Sequence, residues 1–145
     1  MLFYLCWFIV AWSAWLLLAD RRRWREMAPV CTLASLLGIL TDNLMDYYPL
    51  WQYAEPELFS HLADDFAIYI VVTYLFIQWL PNRRTPGRML SYWFLWTAAA
   101  ITIEYIYRRT GHIIYHQWWN MLCSYTADWI LFWIFYSYHK LLSRR

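Results

Sequence analysis

Four polar residues recur at every fourth position in the last apolar run of the chain. In 112–139, HIIYHQWWNMLCSYTADWILFWIFYSYH, they are His116, Asn120, Ser124 and Asp128. On a helix that spacing lines them along one slowly drifting side. The run 58–80 repeats the device with His61, Asp65, Tyr69 and Thr73, and in 28–47 Cys31, Ser35, Gly38, Asp42 and Asp46 gather near one face. Glu104 stands in another apolar run, sharing a face with Thr97 and with Arg108, four residues on, where it can pair. Carboxylates inside apolar runs are costly in a bilayer and mark a partner, a solute or a proton.

Three kinds of chemistry fit these residues. The first is a polar cavity that binds or translocates a small cationic solute or protons. Glu104 and Asp128 are then the coupling groups, Asp42 and Asp46 stand at the mouth, and Asp65, His116, Asn120 and Ser124 line the way. Aromatic walls beside carboxylates suit an organic cation. This reading needs no cofactor.

The second is a metal site. Asp42/Asp46, His61/Asp65 and His112/His116 are three i,i+4 pairs that each offer two ligands from one helix face, with Glu104 able to complete the set. Nitrogen and oxygen donors of this kind suit a divalent metal such as zinc, iron or manganese, and would make a membrane-embedded hydrolase with an outward-facing site. No HExxH or ExxH pattern accompanies them.

The third is an accessory or structural subunit of a membrane complex. The small patch Ala98–Ala100 and the nearly featureless first helix would be its contact surfaces.

Other classes are excluded. Ser124, His116 and Asp128 share one expected helix and spread over about 18 Å, too far for a triad. Gly38, Gly87 and Gly111 are isolated, so no phosphate loop forms. No basic face interleaved with aromatics lies outside the apolar runs, which argues against nucleic acid. The balance is against an enzyme.

The elements that must position these residues are apolar runs. Of 145 residues, 62% are hydrophobic and only 15% charged, too few charges to coat a water-facing surface. The 12 Trp and 13 Tyr suit rings lodged at headgroup level, among them Trp118, Trp119, Trp129 and Trp133. The expectation is an all-α, single-domain integral membrane bundle of five helices. The spans lie at about 2–19, 28–47, 58–80, 89–107 and 113–138. Pro29 falls in the first turn of the second span. Pro56 opens the third, with Glu55 and Glu57 favouring its N-terminus. Cys6, Cys31 and Cys123 stand alone and read as small core residues.

The apolar N-terminal run precedes its arginines, the reverse of a cleavable signal, and reads as a retained span. Ten of the twelve basic residues, Arg21, Arg22, Arg23, Arg25, Arg83, Arg84, Arg88, Lys140, Arg144 and Arg145, follow the first, third and fifth spans. The positive-inside bias then places the N-terminus outside and the C-terminus in the cytoplasm. Expected partners are the lipid bilayer, a small solute or proton, and a second copy or a larger membrane complex.

Five short aromatic spans, an acid in the fourth and the ending HIIYHQWWNMLCSYTADWILFWIFYSYHKLL together resemble a group of small multi-spanning membrane proteins of spore-forming Firmicutes. The resemblance implies a bacterial cytoplasmic (inner) membrane and carries over no catalytic residue.

Overall fold

A computed structural model describes residues 1–54 and 57–143. Helix α1 (Leu2–Leu18) is apolar on every side. Asp20 then accepts from the Arg22 N–H and caps a 3-10 turn, Arg21–Arg23, which turns the chain into α2 (Trp24–Tyr47). A short strand β1 (Trp51–Tyr53) follows. Next, α3 (Glu57–Ala63), a π-helical turn (Asp64–Ile68) and α4 (Tyr69–Gln78) run on as one rod. Helix α5 (Pro86–Arg109) starts with its proline in the first turn, where the missing N–H costs nothing. Strand β2 (Ile113–Tyr115) and helix α6 (Met121–Leu142) complete the order. With the rod counted once, the described residues form five helices and the fold is mostly helical.

The core lies where α2 packs along α4. Met27, Val30, Cys31 and Ala34 meet Val71, Tyr74 and Leu75, and Phe132 and Phe135 of α6 join them. Phe76 and Phe132 hold ring centroids 4.6 Å apart. Helix α1 lies along α3 and α4, burying Tyr4 and Ala11 and leaving Leu5, Ile9, Val10, Leu16 and Leu17 exposed. The segment Arg21–Tyr47 and the rod Leu58–Gln78 are long and apolar enough to cross a membrane, and α1 is a shorter apolar helix of 17 residues.

The two ends of the bundle differ. At one end the Asp20 N–H donates to Gln78 Oε1 (2.7 Å), Tyr74 donates to the Asp20 carbonyl (2.7 Å), Arg84 lies over the Tyr136 ring and His139 Nε2 stands 3.7 Å from Glu26. The basic segments after α1 and α4 and the last turn of α6, with His139 and Lys140, therefore share that end. At the other end β1 and β2 pair antiparallel, Trp51 opposite Tyr115 and Tyr53 opposite Ile113. Tyr4 anchors α1 there by donating to the His112 carbonyl at 2.7 Å.

Several expectations are corrected. The last helix begins at Met121, not 113. The run Ile113–Tyr115 is β-branched and aromatic, and it finds a pairing partner in Trp51–Tyr53, so it extends instead of coiling. Gln117 then takes a left-handed conformation (φ 53°), and Asn120 becomes the cap of α6. Helix α2 begins at Trp24, so Pro29 lies inside it and not in its first turn. Cys6 is exposed on α1 while Cys31 is buried. The expectations placed on Glu55, Pro56, the Glu57 side chain, Arg144 and Arg145 fall outside the described residues.

Of the three glycines, Gly38 is the one packed tightly. A Cβ there would fall on Asp65 Oδ1 and stand 3.5 Å from the Tyr69 ring. Asp65 is wholly buried and has no room to retreat. Gly38→Ala should therefore destabilise the protein by about 1–3 kcal/mol through overpacking. Gly87→Ala, with open space around its Cβ, should be neutral or slightly stabilising. Thermal unfolding of the two variants in detergent checks this.

Candidate functional site

A cavity of about 360 Å³ lies between α2, the rod, α5 and α6, under the two-stranded sheet. Asp42, Asp64, Glu104 and Asp128 line it, one carboxyl group from each of the four surrounding helical segments, and no Lys, Arg or His does so among the described residues. Tyr53, Tyr69, Tyr107, Phe132 and Phe135 form much of its wall. Trp51 and Trp119, with ring centroids 4.9 Å apart, also line it.

Glu104 is held by a network that crosses three elements. Ser124 of α6 donates to Glu104 Oε1 at 2.7 Å, Tyr115 of β2 donates to the same oxygen, and Trp119 donates to Ser124 Oγ at 2.9 Å. Burial, and then the bond to Glu104, push the Tyr115 hydroxyl above its ordinary pKa, so it remains a proton-bearing donor. Arg108 lies over the Tyr115 ring at 5.0 Å, and among the described residues it makes no ion pair with Glu104. The expected Glu104–Arg108 pair is thus replaced by hydroxyl donors, because β2 brings Tyr115 between them and the sequence hid that strand.

Asp128 differs from Glu104. Its Oδ2 is buried without a hydrogen-bond partner. Thr73 Oγ1, in a side chain only 1% exposed that also lines the cavity, is likewise unpartnered. Asp64 is served instead by tyrosines. Tyr107 of α5 donates at 2.9 Å, and Tyr53 of β1 donates as well. Burial, followed by the charges of Asp64 and Asp42, raises the Tyr53 hydroxyl well above its usual range.

A second group sits beside the cavity. His61 Nδ1 lies 2.8 Å from Asp65 Oδ2 and 3.3 Å from Asp42 Oδ2, while Trp51 Nε1 approaches Asp42 Oδ1 at 3.4 Å. A polar cleft of about 490 Å³, lined by Asp42, Asp46 and His61 among others, opens onto this group.

The residues picked out by spacing therefore divide. Asp42, Glu104, Ser124 and Asp128 meet at the cavity, and Asp42, His61 and Asp65 meet beside it. Asp46 lines only the outer cleft. His116 and Asn120 are not on the helix that carries Ser124 and Asp128. His116 follows β2, with Nε2 buried and unpartnered, and Asn120 accepts from the Leu122 and Cys123 N–H groups as a helix cap. His112 stacks on Phe3 with centroids 3.7 Å apart, remote from both aspartates of the second group. Its burial and then the chain amino terminus pull its pKa below the ordinary value.

Sequence reasoning missed Tyr53, Tyr107 and Tyr115 as members of the site, and it placed Asp64 with His61 and Asp65 at the outer end of the third span without giving it a role. Searches with this chain match no protein-family model, no curated protein and no solved structure.

Tyr107→Phe removes one donor from buried Asp64. It should cost about 1–3 kcal/mol, whereas Tyr105→Phe on the exposed side of the same helix should stay within about 0.5 kcal/mol. Unfolding midpoints of the two variants measure the difference.

Proposed function

We propose that this chain is a multi-pass protein of a bacterial inner membrane whose internal cavity binds, and passes between the two sides, a small organic cation or protons. One observation carries the reading. Four carboxyl-bearing residues and no basic side chain line a cavity walled by aromatic rings. Carboxyl groups gathered away from water require neutralisation by protons or by a cation. Aromatic faces add attraction for a cation, and the volume suits a solute of few heavy atoms. Glu104 is anchored by three-element hydrogen bonding and acts as the fixed counter-charge. Asp128 and Thr73, with unpartnered oxygens, supply the groups left to meet the solute.

The membrane setting is supported by the apolar outer face of α1, by the two helical segments of spanning length and by the separation of the ends. Basic side chains gather at the end away from the sheet, so the positive-inside bias puts that end in the cytoplasm and the sheet outside. The cavity then lies closer to the outer surface, beneath the sheet.

Detergent-purified protein titrated with tetramethylammonium should show saturable quenching of tryptophan fluorescence, since Trp51 and Trp119 line the cavity. Asp128→Asn and Glu104→Gln should each weaken that binding by tenfold or more while leaving helicity unchanged. Wild-type affinity in both folded variants rejects the reading. Topology is checked separately. A fluorescent protein fused after residue 145 should be bright, as expected in the cytoplasm, and alkaline phosphatase fused at the same point should be inactive.

A further inference from the structure

We propose that Asp42, His61 and Asp65 form a binding site for one divalent transition-metal ion of the zinc–manganese class, where α2 meets the π-helical turn. The site goes beyond the cavity's solute and does not rest on it.

The donor atoms are already gathered. Asp42 Oδ2, His61 Nδ1 and Asp65 Oδ2 lie within 4.8 Å of one another. Metal–ligand bonds of 2.0–2.2 Å in a tetrahedral site put neighbouring donors about 3.3–3.5 Å apart. The His61–Asp42 separation of 3.3 Å meets this as it stands. The His61–Asp65 separation of 2.8 Å needs to open by about half an ångström. One nitrogen and two oxygens, with no thiolate, select a borderline or hard dication over a soft one.

The surroundings point the same way. Two carboxylates face a single imidazole, and among the described residues no Lys or Arg pairs with either. Asp65 is wholly buried, and its Oδ1 has no hydrogen-bond partner. A buried carboxylate in that state is expensive unless its charge is met. Carboxylate charge is delocalised, so a dication on Oδ2 relieves Oδ1 as well. Gly38 supplies the space that this oxygen occupies, since any Cβ there would displace it. Trp51 Nε1, on Asp42 Oδ1, leaves Oδ2 free to ligate and fixes the carboxylate's tilt, the usual outer support of a ligating group. His61 is partly exposed and faces the polar cleft, so water has access to a fourth position and the ion has a route in.

The test uses tag-free full-length protein in detergent, stripped with EDTA, dialysed, and titrated calorimetrically with zinc and manganese chlorides. Bound metal is counted by elemental analysis. The expected result is one equivalent per chain, with affinity falling tenfold or more in His61→Gln and in Asp65→Asn. Because Asp65 is buried and its variant can fail to fold, His61→Gln carries the decision, with helicity confirmed by circular dichroism. Well under one equivalent in the wild type, or wild-type affinity in folded His61→Gln, overturns the site.

Discussion

Asp64 and Asp65 are neighbours in the chain, and an ordinary α-turn would aim them about 100° apart. The π-helical turn at Asp64–Ile68, closed by the Tyr69 N–H to the Asp64 carbonyl, rotates less per residue, and both acids on it are buried. Asp64 receives hydroxyls from α5 and β1, and Asp65 presses against Gly38 of α2 and bonds His61. Two adjacent residues thus tie the rod to three other elements. Each of those contacts needs its own local concession: a glycine in α2, a buried tyrosine in α5, and a strand instead of a loose loop between α2 and α3. Such a turn gives up regular hydrogen-bond geometry and is common at functional sites. Here the concession places Asp64 in the cavity and Asp65 beside it with His61 and Asp42.

The helices were legible because each apolar run is bounded by something physical. Arginines close α1, Pro49 and Tyr48 close α2, and Pro81 closes α4. The gathering of Asp42, Glu104, Ser124 and Asp128 was legible too, since i+4 and i+3 spacing survives wherever the helix is regular. Three features were not. WQY and IIY are too short to declare themselves as strands, and each becomes one only because the other lies opposite. The π turn depends on what Asp64 and Asp65 touch across the bundle, which spacing within one helix cannot reveal. The His116-to-Asp128 stripe was read as one helix from its period alone. Asn120, a strong cap residue in its middle, was the competing signal, and the cap prevailed because β2 pulls the preceding residues into extended pairing.

The short sheet decides how the cavity is closed. A bundle of helices would leave its upper end open, and a flexible loop could cover it only by burying unsatisfied backbone groups. Pairing β1 with β2 satisfies those groups internally, and the His116 N–H to Leu50 carbonyl bond of 2.8 Å extends the closure. The sheet also carries side chains downward. Tyr53 reaches Asp64 and Tyr115 reaches Glu104, so two of the four cavity acids are bonded to the cover itself. Asp128, which lies four residues beyond Ser124 on α6, keeps a buried Oδ2 with no hydrogen-bond partner among the described residues.

That difference divides the acids of the cavity. Groups tied to the cover feel any movement of the sheet, because separating β1 and β2 from the helices would strip Glu104 and Asp64 of tyrosine donors at once. Asp128 gains nothing and loses nothing by such a movement. The bonds of the sheet thus set Glu104 and Asp64 apart from Asp128, whose buried Oδ2 meets no donor among the described residues.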